Sequence, residues 1–276
     1  MKLSGTFIWR KLRERKILAA HKRTAAICEQ LLEDCKAQDF SVDLVPKKSF
    51  DTARIIWQYW AQGYENVPEV VAKCLKSVEE FASDYQIVRL TDENLEEYLD
   101  LPEYVKAKRS VYSRAFFSDL LRVMLLKTYG GVWLDATIFF SGPIPTEYAQ
   151  AEFFLFQRDP DERDIKYWRN VYAYYYGWSK GFRVNMLSSF IVARKGNGIV
   201  SRLSDAMLYW VKNNNYLPDY FFLQILFDVL PKKPITPLVS DCIPHYLQQS
   251  MNDPGFRIMS RKDILEKIHI HKLTYK

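Results

Sequence analysis

Two groups of polar side chains interrupt otherwise apolar stretches of this 276-residue chain. The first is Ser118, Asp119 and Arg122, set among Ala115, Phe116, Phe117, Leu120, Leu121, Val123, Met124, Leu125 and Leu126. On a helix Asp119 and Arg122 are i,i+3 and Ser118 and Arg122 are i,i+4, so all three share one face. Charges on a buried helix are costly unless they are paired or hold something. These residues therefore either lock the helix as an internal ion pair or bind a ligand. The second group centres on Asp135 in Gly130-Gly131-Val132-Trp133-Leu134-Asp135-Ala136-Thr137. A carboxylate near the carboxyl end of a buried strand lies where α/β folds hold ligands. It can accept a ribose hydroxyl or coordinate a divalent ion that bridges a diphosphate. It can also cap a turn, although the apolar Ile138-Phe139-Phe140 that follows argues for a strand running through it. Asp219, in Pro218-Asp219-Tyr220-Phe221-Phe222, opens a helix that it could simply cap, with Gln224 a turn further on.

The elements that must position these groups follow from periodicity. Thr6 starts a helix to about residue 37, with Ala25, Cys28, Leu31, Leu32 and Cys35 at helical spacing. Residues 38–51 read as a linker, and Arg54–Trp60 as a short strand. Alternation follows: a helix over 68–83, a strand over 86–90, a short capped helix from Thr91, and a long helix over 111–129 stopped by Gly130. Residues 132–140 read as one strand buried on both faces. Strands over 153–156 and 187–193 and helices over 199–213 and 218–229 complete the pattern. Residues 158–182, rich in Tyr and Trp, form an acceptor-side loop or a packed aromatic region. This alternation predicts an α/β fold around a mostly parallel sheet.

Composition narrows the class. Hydrophobic residues make up 48% and aromatics 15% of the chain, which argues for a folded core. Cys28, Cys35, Cys74 and Cys242 form no CxxC pair, which argues against a zinc site. No apolar run approaches the roughly 18 residues of a spanning helix, and basic residues interrupt any signal-peptide core, so the expected location is cytoplasmic. Residues 1–23 carry +7 while the remainder carries −1. A neutral body excludes a nucleic-acid binder. The basic arm, which also holds Phe7, Ile8, Trp9 and Leu12, suits either anionic headgroups at the inner face of the plasma membrane or plain solvation.

Ser118-Asp119-Leu120-Leu121-Arg122 followed by Tyr129 through Thr137 resembles the sugar-binding region containing the DXD motif in glycosyltransferase family 32, in particular its capsular polysaccharide synthesis branch. Arg54–Trp60 resembles the first strand of that branch, and His271-Lys272-Leu273-Thr274-Tyr275-Lys276 its last element. The resemblance spans about 51–276 and leaves residues 1–50 as a basic N-terminal helical arm. It implies a GT-A fold, a UDP-sugar donor, Mn²⁺ or Mg²⁺, and hexosyl transfer with retention. The implied acceptor is a glycan such as one linked to undecaprenyl diphosphate. By matching position, Trp60 would stack on the nucleobase, and Asp119 and Arg122, with Ser118 beside them, would hold the donor sugar. Asp135 would contact ribose and metal, Asp219 would reach the reacting carbon, His271 would complete the metal site, and Lys272 and Lys276 would hold the diphosphate. The third motif position, normally Asp, is Thr137. A hydroxyl is a weaker ligand for a hard cation, so the same residues also allow a degenerate transferase fold that binds glycan or scaffolds a capsule assembly complex.

Overall fold

The computed structural model describes residues 5–275, with side chains from Trp9 onward, so Lys276 and the side chains of Phe7 and Ile8 lie outside the described residues. A five-stranded sheet in the order β2-β1-β3-β6-β5 forms the centre. Its strands are β1 (Ile55–Tyr59), β2 (Gln86–Leu90), β3 (Gly131–Leu134), β5 (Phe153–Gln157) and β6 (Met186–Ala193). The β1–β2 and β1–β3 pairings are parallel, whereas β6 runs antiparallel to both its neighbours. Four strands thus point one way around a single reversed strand. The sheet is mixed because β6 inserts antiparallel between β3 and β5. All residues of β1 and β6 are buried, as expected for central strands covered on both faces.

Helices cover the sheet. They are α1 (Gly5–Ala37), α2 (Glu69–Phe81), α3 (Glu103–Ala107), α4 (Arg114–Thr128), α5 (Thr146–Ala149), α6 (Ile165–Val171), α7 (Gly198–Asn213), α8 (Phe222–Val229), α9 (Tyr246–Asn252) and α10 (Arg261–Lys267). Ser113 caps α4, its hydroxyl accepting from Phe116 N at 3.2 Å. Nearly every side chain on α4 from Phe116 onward is buried, including Asp119 and Arg122. No helix among the described residues is long and apolar enough to cross a membrane. The division expected at residue 50 is not a break in the core. Ile17, Ala25, Cys28 and Leu31 of α1 are buried in the same apolar cluster as the sheet, against α7 and α8.

Asp135 marks the largest departure from the expected elements. The apolar run 132–140 is not one strand. β3 ends at Leu134, Asp135 and Thr137 flank a turn closed by Ile138 N donating to Asp135 O at 2.9 Å, and β4 (Ile138–Phe140) then leaves the sheet. It pairs antiparallel with β7 (Ile270–Lys272) in a separate two-stranded ribbon. Hydrophobicity reads burial and not direction, so a buried turn between two buried strands looks like one strand. The preceding Gly130 and Gly131 have φ of +73° and +97°. A Cβ on Gly131 would lie 2.5 Å from the Ile55 carbonyl oxygen, so this pair lets α4 feed directly into the strand beside β1.

Candidate functional site

At the carboxyl end of β3 opens a cavity of about 520 Å³. Its floor is the polar face of α4 and the turn after β3, and Ser118, Asp119, Arg122, Asp135 and Lys272 all line it. The Arg122 guanidinium lies 2.8 Å from Asp119 Oδ1 and 3.5 Å from Asp135 Oδ1, with its Nη2 donating to Ser118 Oγ at 3.3 Å. It also donates to the Ser188 carbonyl on β6 and sits 5.1 Å from the Trp133 ring centre. Asp135 Oδ1 accepts from Trp133 Nε1 at 2.9 Å. Its Oδ2 lies 3.2 Å from Lys272 Nζ, and the same ammonium donates to Thr137 Oγ1 at 2.5 Å. The i,i+3 and i,i+4 spacing on α4 thus yields the expected ion pair, and that pair faces the cavity.

The two carboxylates differ in acidity. Burial raises the pKa of Asp135, but Lys272, Arg122 and the Trp133 N–H together outweigh it and hold this carboxylate well below the usual range. Burial and the neighbouring Asp135 push Asp119 up to about 6, against the pull of Arg122. His245, on the opposite wall, is lowered to about 3 by burial, Lys272 and Arg158, so its imidazole is neutral.

Three expected positions are not brought together with this cluster. On β7 adjacent side chains point to opposite faces, so Lys272 reaches Asp135 while His271 turns away. The His271 imidazole is fully buried, 2.9 Å from Ser141 Oγ. Asp219 lies two residues before Phe221, the N-cap of α8, and accepts from Phe221 N at 2.8 Å in a turn ahead of the helix, so it does not cap the helix. It borders a different groove, beside Lys16 and His21 of α1. Trp60 packs edge-on to Tyr275 at 5.5 Å, and the β1 residue lining the cavity is its neighbour Tyr59.

The divalent cation expected from the motif does not fit this donor set. Both oxygens of Asp135 are engaged, Thr137 accepts from Lys272, and His271 faces away. Among the described residues no group of three His, Cys, Asp or Glu could hold a metal ion. The Lys272 ammonium lies against both Asp135 Oδ2 and Thr137 Oγ1.

The aromatic wall comes from residues 158–182, the segment expected as an acceptor-side loop or an aromatic pack, whose rings pack on one another. Tyr172, Tyr175 and Tyr176 line the cavity, facing Tyr220 and Phe221. Behind them the Arg158 guanidinium clamps Asp241 through two 2.9 Å bonds and the carbonyls of Gly177 and Tyr175 at 2.8 Å each. Nothing in the local sequence links Arg158 to Asp241, 83 positions away. Among the described residues, lining side chains leave buried polar atoms without a hydrogen-bond partner, Tyr176 Oη, Gln224 Oε1 and His245 Nε2 among them. Such atoms cost roughly 1–3 kcal/mol each when left unsatisfied, and they suit a ligand rich in hydroxyls.

Residues 8–276 match the family described as "Capsular polysaccharide synthesis protein". A stretch of 91 residues is 33% identical to the "Subversion of eukaryotic traffic protein A" of Legionella pneumophila, covering 33% of this chain and 11% of that protein. The chain therefore spans only about a tenth of that relative's length. The solved structure titled "PaToxG Glycosyltransferase" aligns at a TM-score of 0.37 and 14% identity over 77% of this chain and 78% of that one. That likeness is too loose to build on.

Proposed function

This chain belongs to the capsular polysaccharide synthesis protein family, and from that premise we propose that it is a glycosyltransferase. It moves a hexosyl group from a nucleotide-diphosphate sugar, a UDP-sugar by resemblance, to a hydroxyl of a glycan acceptor. The observation that carries this reading is the alternating cluster Asp119–Arg122–Asp135–Lys272 on a cavity walled by aromatic rings and unpartnered polar atoms. Ser118, Asp119 and Arg122 hold the sugar hydroxyls. Asp135 takes the ribose side, and Tyr176, Gln224 and His245 complete the polar lining.

The work of the site is electrostatic. As the glycosidic bond breaks, negative charge grows on the departing diphosphate and positive charge on the sugar ring. Preorganised charges of opposite sign stabilise both. Among the described residues Lys272 and Arg122 are the cations lining the cavity, and Asp119 and Asp135 its carboxylates. Both carboxylates are ion-paired and therefore poor nucleophiles, so a same-face, ion-pair-like substitution with retention suits the site better than a covalent double displacement.

In this reading Lys272, not a bound Mn²⁺ or Mg²⁺, meets the diphosphate. Titration calorimetry with UDP checks it. Lys272→Met is expected to weaken UDP binding by about 10- to 100-fold, the scale of one hydrogen bond to a charged group. Excess EDTA should change the wild-type affinity by less than about threefold. Loss of binding in EDTA, with Lys272→Met unaffected, would return the site to a divalent ion.

Asp119 gives the reaction its acid limb. Its carboxylate is ionised above about pH 6 and takes up a proton below it. Donor kcat/KM is therefore expected to fall as pH drops through about 6. In Asp119→Asn that limb should vanish from a lower plateau, and a limb persisting in the variant would move the titration elsewhere. A non-catalytic scaffold is the second reading, favoured by Thr137 at the third motif position. UDP release from a panel of UDP-sugars, followed with and without Mn²⁺, separates the two.

A further inference from the structure

A second cavity, of about 380 Å³, lies between α1 and α6. On α1, Arg10, Arg13, Glu14 and Ile17 recur at helical spacing and share one face. Facing them, Lys166, Arg169, Asn170 and Ala173 recur at the same spacing along α6 and the turn after it. Two basic helix faces thus oppose one another across a groove floored by Ile17, Tyr176, Gly177 and Phe182.

Such an arrangement is repulsive unless something negative sits between. The protein supplies little. Glu14 is the only acid lining the groove, and it accepts a hydrogen bond from the Ser179 hydroxyl. Among the described residues Arg10, Arg13, Lys166 and Arg169 have no ion-pair partner. Beside the groove, Trp9 and Leu12 on the next face of α1 are 73% and 43% exposed. Exposed apolar side chains next to unpaired cations fit an amphiphile with an anionic head. Tyr176 walls both this groove and the cavity that holds Asp135.

We propose that the α1–α6 groove binds the phosphate of a lipid-linked acceptor and so presents its glycan to the cavity beyond Tyr176. The site class is a lipid phosphate or diphosphate, held by Arg10, Arg13, Lys166 and Arg169. The assignment rests on the transferase reading for its purpose but not for its test.

The test is flotation of the full chain with phosphatidylcholine vesicles containing about a tenth of their lipid as polyprenyl phosphate. Arg10→Ala/Arg13→Ala and Lys166→Ala/Arg169→Ala are each expected to lose about tenfold or more in vesicle affinity, near 1 kcal/mol per basic residue removed from a phosphate surface. Arg15→Ala/Lys22→Ala removes the same charge from the opposite face of α1 and should bind within about threefold of wild type. An equal loss in this matched control, or no loss in the groove variants, overturns the proposal. Vesicles with the same molar content of phosphatidylserine distinguish a phosphate site from general attraction to anionic surface, and equal sensitivity of the groove variants there also overturns it. Inorganic pyrophosphate at equal phosphate content separates lipid from free phosphate. Groove-dependent calorimetric binding as tight as that of the vesicles would overturn the lipid assignment. UDP affinity, which reads the Asp135 cavity, should be unchanged in all these variants, so failure of the groove is separable from failure of the donor site.

Discussion

Asp135→Asn should lower donor turnover by about 10²- to 10³-fold or more, the range seen when one preorganised electrostatic partner of a reacting group is removed, while leaving the fold intact. The amide keeps the shape of the carboxylate and can still accept from Trp133 Nε1. It removes the charge that Arg122 and Lys272 both face, at 3.5 and 3.2 Å. Lys272 would then be held by Thr137, and Arg122 by Asp119, the Ser118 hydroxyl and backbone carbonyls. The side chain is a quarter exposed at the cavity, so the loss of stability should be small beside the loss of rate. Thermal melting and UDP-sugar hydrolysis, measured on one preparation, check both halves. Near-wild-type turnover, or a collapse of the melting transition, would sink the assignment of Asp135.

The second large effect is on stability. Arg158→Met should destabilise the protein by about 3–5 kcal/mol, because it strands a buried carboxylate. Asp241 is fully buried, and Arg158 supplies both of its short charged contacts. The same guanidinium ties down the carbonyls of Tyr175 and Gly177 and lies within 5.1 Å of the Tyr176 and Trp178 ring centres. For a domain of this size each kcal/mol is worth roughly 2–4 °C, so calorimetry should show the melting temperature fall by about 10 °C. Arg158→Met/Asp241→Leu should recover much of that loss, since removing both charges removes the desolvation cost as well. A double variant no better than the single would mean that the clamp on the loop carbonyls, and not the stranded charge, carries the effect.

These examples mark where the sequence was informative. The face shared by Ser118, Asp119 and Arg122 was legible because helical spacing fixes neighbours. The carboxyl end of the strand before Asp135 was legible because apolar runs report burial. The turn at Asp135 was not, since a buried turn and a buried strand leave the same hydrophobic trace. The opposition of Lys272 and His271 was open to period-two reasoning once a terminal strand was granted. Three residues of strand carry too little pattern to announce themselves. The Arg158–Asp241 clamp and the α1–α6 groove join segments far apart in sequence, and no local signal encodes such a pairing. Trp60 sits one position from Tyr59, the residue of that segment that lines the cavity, a difference of one step in the strand alternation.

The short β4–β7 ribbon has a consequence for how this site can change. Only three residue pairs set its register: Ile138 with Lys272, Phe139 with His271 and Phe140 with Ile270. Slipping a strand by one residue sends every side chain to the other face. Gain of one residue in the connection after α10 would therefore bring His271 to the place of Lys272 and set an imidazole beside Asp135. Two chemistries for handling an anion, one by fixed charge and one by coordination, stand a single insertion apart on the same scaffold.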